Sequence, residues 1–287
     1  MTTATTTEDG VLSPTGLPQA LLETAFLAAV RAGQGLLEQR ASITSIETKS
    51  TENDWVSEAD RSSERLIADS IRATRPRDGQ IGEEGTRVAG STGLTWNFDP
   101  LDGTVNYLYG SDAWCVSIAC ADESGTLVGV VHEPVANRTY WATRGGGAFL
   151  NGRPLAVRRS GNLRRSLVST GFSYDPDLRR RQGELIADLL GECRDIRRNG
   201  SAALSLCHVG SGEVDAYLEC PINLWDISAA SLIASEAGAQ VGVAPFESAL
   251  SVVAAAPDVY AEIGAVVAAN PYGPTLFPHL AGSEPVV

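Results

Sequence analysis

Asp99 and Asp102, separated by Pro100 and Leu101 and followed by Gly103 and Thr104, are the residues of this chain whose types and spacing point most directly to chemistry. Two carboxylates aimed at one place can hold a hard cation, and the amides of a Gly-Thr turn opening a short helix can face a phosphate. A turn with two side-chain caps would also account for the pair. Three further acidic groups stand at the ends of expected elements: Asp60 early in a helix, Glu83-Glu84 between Gly82 and Gly85, and Asp226 behind Trp225. Each has an ordinary reading by itself. Asp60 and Asp226 suit the first turn of a helix, where the dipole favours a carboxylate, and Glu83-Glu84 suit a solvated loop. If Glu83, Asp99, Asp102 and Asp226 converge, however, their charges raise one another's pKa values unless cations neutralise them. An all-oxygen set without His or Cys suits Mg²⁺ better than Zn²⁺ and leaves coordination positions for phosphate oxygens. Phosphoryl hydrolysis is the expected reaction.

The elements that must position these groups can be read from apolar periodicity. Leu21/Leu22, Ala25/Phe26, Ala29/Val30 and Leu36/Leu37 recur at helical spacing and predict a helix from Leu17 to about Arg40. A second follows Ser57, carries Leu66, Ile67 and Ile71, and is closed by Pro76. Short runs at 80–82, 94–98, 115–120 and 127–131 read as strands, and 140–152 as a hairpin through the Gly145–Gly147 run. Strand and helix then alternate: strand 166–170, helix 178–191, strand 195–198, helix 201–211, strand 215–219, helix 225–237, strands 239–243 and 251–255, helix 257–269. The expected organisation is a tail over 1–16, an α+β domain over 17–155 carrying most metal ligands, an α/β domain over 156–271, and an irregular tail over 272–287. Cys115 and Cys120, five residues apart on one strand, fall on opposite faces and read as core residues. His132, His208 and His279 are scattered and are not needed as ligands.

With 287 residues, 43% of them hydrophobic, the chain can bury a large core. A formal charge of −13 argues against nucleic-acid or anionic-membrane partners, so a small anionic substrate would need metal ions to approach. Five cysteines without a C-x-x-C pair suggest neither a disulfide framework nor a zinc ribbon, and a reducing cytoplasm is expected. The segment MTTATTTEDG has neither the basic nor the apolar region of a signal peptide, and no uninterrupted apolar run reaches membrane-spanning length.

GEEG (82–85), WNFDPLDGTVNYLYG (96–110), RRNGSAA (197–203) and WDISAASLIASEAGA (225–239), in that order, resemble the motifs of the inositol monophosphatase family over roughly residues 20–265. That resemblance implies a layered αβαβα architecture of the α/β class and a lithium-sensitive, Mg²⁺-dependent phosphatase. Glu83, Asp99 and the carbonyl of Leu101 would hold one ion, and Asp99, Asp102 and Asp226 a second, with Asp99 bridging; a third ion sits near Glu83 in some members. Glu83, Thr104 and Asp60 would be the catalytic group, the last two orienting the attacking water. Lys49 would add positive potential near the phosphate.

For the substrate, the resemblance implies phosphate contacts from the amides of Gly103 and Thr104. It further implies contacts to the polyol from Asp102, Gly200, Ser201, Ala202, Glu219 and Asp226. Pro221 stands where many members carry glycine, so the loop that meets the ring is reshaped. The leading substrate is myo-inositol 1-phosphate. Histidinol phosphate, fructose 1,6-bisphosphate and 3′-phosphoadenosine 5′-phosphate are alternatives, with Val105 after DGT arguing against the first. A regulatory or binding protein that keeps the fold is the alternative of another class. Many members form two-fold dimers, and a homodimer is expected.

Overall fold

The computed structural model describes residues 16–40 and 58–280, together with the backbone of the short paired strands β1 (Glu47–Thr48) and β2 (Trp55–Val56). Lys49, Ser57, residues 1–15 and residues 281–287 lie outside the described residues. Helices α1 (Leu17–Arg40) and α2 (Glu58–Thr74) come first. They are followed by β3 (Gly79–Gly82), β4 (Arg87–Val88), β5 (Thr95–Asp102), the short helix α3 (Thr104–Leu108), β6 (Cys115–Asp122), β7 (Gly125–Glu133), β8 (Arg138–Thr143), β9 (Gly147–Leu150) and β10 (Arg153–Pro154). The remainder comprises β11 (Leu167–Thr170), α4 (Pro176–Glu192), β12 (Asp195–Arg197), α5 (Ala202–Gly210), β13 (Ala216–Ile222), α6 (Leu224–Glu236), β14 (Gln240–Phe246), β15 (Ala249–Ala255), α7 (Pro257–Ala269) and α8 (Gly273–Leu276).

Besides the β1-β2 pair, the strands form two larger sheets, an eight-stranded one in the order β10-β9-β8-β7-β6-β5-β3-β4 and a five-stranded one in the order β12-β11-β13-β15-β14. Period-2 alternation along their strands sorts side chains into separate helical layers. In β6, Val116, Ile118 and Cys120 face α1 and α2, while Cys115 and Ala119 face α5 and α6. In β13, Tyr217 joins the α5/α6 layer, whereas Ala216, Leu218 and Cys220 pack outward with Leu185 and Leu189 of α4 and Val259, Ile263 and Val267 of α7. The order of layers is therefore α1/α2, large sheet, α5/α6, small sheet, α4/α7, which is the expected αβαβα sandwich. Gly129 permits a close approach between layers, since a Cβ there would lie 2.7 Å from the Ala229 carbonyl of α6.

By length and mean hydropathy α1 could span a bilayer, but Leu21, Ala25, Ala28, Ala29, Ala32 and Leu36 are buried against its neighbours, as in a core helix. Two expectations are corrected. The apolar strand does not stop before the aspartates, because β5 runs through Asp102. Residues 272–280 do not form an irregular tail: α8 is followed by a 3₁₀ turn over Pro278–Leu280, and Leu276, Phe277 and His279 are buried. The apolar side chains Leu276 and Phe277 complete the cluster under α7, which gives this segment a reason to order.

Candidate active site

On a regular strand, residues three apart point to opposite faces, so Asp99 and Asp102 would diverge. The register prevents this. Asp99 pairs with Ser117 and Asp102 with Cys115, so three steps on β5 match two on β6, and the extra residue restores parity. Pro100 sits within this bulge, where its missing N–H costs no ladder bond. The Asp99 carboxylate accepts the Leu101 amide at 2.9 Å, and Thr104 Oγ donates to the Leu101 carbonyl at 3.0 Å. Gly103 closes the turn at φ +97°, and a Cβ there would meet the Ala113 carbonyl at 2.9 Å. Only glycine fits that combination.

The turn after β3 brings Glu83 and the start of α6 brings Asp226. Carboxylate oxygens of Glu83, Asp99 and Asp226 all lie within 4.8 Å of one another. Asp226 is oriented by the Asn223 amide, which donates to its Oδ2 at 2.8 Å. Burial first, then the Glu83 charge, holds the carboxyls of Asp99 and Asp226 well above the ordinary range, and Asp102 raises both further. Three carboxylates packed so closely, Asp99 buried and Glu83 and Asp226 half-buried, fit a divalent cation, and their donor set, oxygen only, fits Mg²⁺.

Asp102 lies beside this trio and is held from another direction. Its oxygens accept Ser201 Oγ at 2.5 Å and the amides of Ala202 and Ala203 at 3.2 and 2.7 Å, all at the start of α5. Burial raises its pKa, and those donors oppose the rise. Ser201 also caps α5 by accepting the Leu204 amide. Cys115, expected only as a core residue, has Sγ 3.8 Å from Asp102 Oδ2 and so backs the site.

The cleft holds about 170 Å³. Of the expected site residues, Glu83, Asp99, Leu101, Asp102, Gly103, Thr104, Gly200, Ser201, Ala202, Glu219 and Asp226 line it. Asp60 does not. It is buried in the first turn of α2, close enough to Tyr107 to help raise that phenol. The Leu101 side chain is buried in the core, so only its backbone serves the cleft. Glu219 is pushed up to about 7 by burial and accepts the Tyr217 hydroxyl. Pro221, joined to Cys220 by a cis peptide, falls where the β13 register shifts between Glu219 and Ile222, the latter also lining the cleft.

Several lining residues were not assigned from the sequence. Thr170 ends β11, Gly171, Phe172 and Tyr174 follow it, and Arg198 precedes α5. The only advance signal was Arg198 itself, inside the RRNGSAA run. Gly171 abuts the Glu219 carboxylate so closely that a Cβ would overlap it.

The model of the inositol monophosphatase family matches residues 17–279. Inositol-1-monophosphatase SuhB of Mycobacterium tuberculosis is 41% identical over 231 residues, 76% of this chain and 79% of that protein. Nus factor SuhB of Pasteurella multocida is 38% identical over 251 residues, 85% and 94% of the two chains. Among solved structures, Mycobacterium tuberculosis SuhB superposes with a TM-score of 0.78 at 37% identity, covering 88% of this chain and 98% of that one. Thermotoga maritima IMPase gives 0.77 at 31% identity, with 86% and 96% covered.

Proposed function

The chain belongs to the inositol monophosphatase family, and from that premise we propose that it hydrolyses the phosphomonoester of a small polyol, myo-inositol 1-phosphate first among them. The observation that carries this reading is the convergence of Glu83, Asp99 and Asp226 in a cleft floored by the Gly103-Thr104 turn. Mg²⁺ held there by Glu83, Asp99, the Leu101 carbonyl, Asp102 and Asp226, as two or three ions, would neutralise the phosphate, lower the pKa of a water and stabilise the leaving alkoxide. The protein's own groups do the rest. The amides of Gly103 and Thr104 bind phosphate oxygens, and Thr104 and Asp60 together orient the water. Asp102, the start of α5 and Glu219 meet the polyol hydroxyls; a Glu219 that titrates near neutrality can accept from one hydroxyl or donate to another.

A phosphate-release screen tests this reading. Myo-inositol 1-phosphate, histidinol phosphate, fructose 1,6-bisphosphate and 3′-phosphoadenosine 5′-phosphate are compared with Mg²⁺, with and without Li⁺. The reading expects release that requires Mg²⁺, is inhibited by Li⁺ and is fastest with the inositol ester. A relative named as a Nus factor favours a second reading, a regulatory protein that keeps the fold. Release no greater than from an Asp99→Asn control on every ester would favour that reading. Two-fold dimerisation in the cytoplasm belongs to the first reading, and sedimentation checks the dimer.

A further inference from the structure

Carboxylates that repel one another can hold an ion only if the segments bearing them are fixed from outside. We infer that Ser63 and Glu64, adjacent on α2, are positioning residues that set the spacing of the Glu83 and Asp99 segments, with Arg87 tying the first segment to the start of α6. The inference rests on reading the cleft as a Mg²⁺ site.

Neither Ser63 nor Glu64 lines the cleft, and both are buried. The two oxygens of Glu64 accept the amides of Glu84 at 2.6 Å and Thr86 at 2.7 Å, so its carboxylate grips the turn directly after Glu83. Gly82, on the other side of Glu83, is pressed against the same carboxylate: a Cβ there would lie 2.5 Å from Glu64 Oε2 and 2.6 Å from the Phe98 ring. Ser63 Oγ donates to the Pro100 carbonyl at 3.0 Å, inside the bulge that turns Asp99 and Asp102 to one side. Neighbouring residues on a helix diverge by about 100°. One helical step therefore reaches two segments, carried by the parallel strands β3 and β5.

Arg87 supplies the third tie. It donates to the carbonyls of Gly82 and Thr86, and its guanidinium lies 5.1 Å from the ring centroid of Trp225, the residue before Asp226. Glutamate is needed at 64 because two N–H donors require two acceptor oxygens. Glutamine offers one, and its NH₂ would face an amide N–H.

A purely structural clamp would also stabilise the fold, so the test reads metal affinity without turnover. The full chain is titrated with Mg²⁺ by calorimetry, and hydrogen exchange is followed over residues 82–88. Glu64→Gln is expected to weaken Mg²⁺ binding roughly tenfold, with faster exchange at Glu84 and Thr86, and Ser63→Ala to weaken it about threefold. A folded Glu64→Gln protein that binds Mg²⁺ as tightly as wild type overturns the inference. If Glu64→Gln does not fold, Ser63→Ala and Arg87→Lys decide by the same criterion. A wild-type chain that binds no Mg²⁺ overturns the site reading itself, and is distinguishable from equal binding by wild type and variant.

Discussion

Replacing Asp99 by asparagine keeps the side chain's shape and its acceptor for the Leu101 amide while removing one charge from the acidic trio. The stability effect can be worked from the geometry. Two unit charges at 4.8 Å, the outer limit between these carboxylate oxygens, repel by about 3.5 kcal/mol at an effective dielectric of about 20. Full ionisation does not persist without metal, because Asp99 and Asp226 keep protons to higher pH. The relief available is therefore a fraction of the pairwise sum, about 2 kcal/mol, or about 4 °C in Tm for a chain of this size. In EDTA at pH 8, Asp99→Asn should melt above wild type. In Mg²⁺ at about a thousandfold excess over Kd the order should reverse, since binding adds about 4 kcal/mol to wild type and little to the variant. Scanning calorimetry under both conditions checks it. A variant that melts below wild type in EDTA, or a wild type indifferent to Mg²⁺, would exclude charge repulsion at a Mg²⁺ site as the cause.

Other predictions concern the same cleft. For wild type without metal, the carboxyls of Asp99, Asp226 and Glu219 have raised folded-state pKa values, so between about pH 4 and their folded values the native state binds more protons than the unfolded state. Their contribution to stability must fall as pH rises through that window. Tm in EDTA should therefore be higher at pH 5 than at pH 8, with Mg²⁺ flattening the slope, and a rise in Tm towards pH 8 would contradict the assignment. Thr104→Ala should lower kcat by about a hundredfold with little change in KM; an effect confined to KM would make Thr104 a binding residue instead. Gly171→Ala should displace the Glu219 carboxylate and raise KM for the polyol ester about tenfold, and unchanged KM would remove Glu219 from substrate binding.

The layered fold was legible because its signals are local. The placement of Cys115 and Cys120 on opposite faces of one strand and the helical spacing of Leu21, Ala25, Ala29 and Leu36 survive into the structure as buried faces. Glu83, Asp99 and Asp226 were legible because carboxylates at element ends are a small set, and the structure brings these three together. What depended on distant partners was not. The parity of Asp99 and Asp102 is set by their register with β6, and the restraint of Asp102 comes from Ser201, Ala202 and Ala203, about a hundred residues away. Arg198 and Tyr174 enter the cleft only because β12 and β11 end beside it. The packing of Leu276 and Phe277 was hidden by the Pro and Gly around them, which by themselves read as a break in structure.

If the cleft is a phosphomonoesterase site, Asp99, with Glu83 and Asp226, holds the Mg²⁺ on which turnover depends. Release of phosphate from myo-inositol 1-phosphate by wild type and Asp99→Asn, across a Mg²⁺ titration, tests it most directly. Wild type should show saturable Mg²⁺ activation, and the folded variant should lose at least about a thousandfold. Comparable turnover by the variant, or turnover by wild type that persists in EDTA, would contradict it.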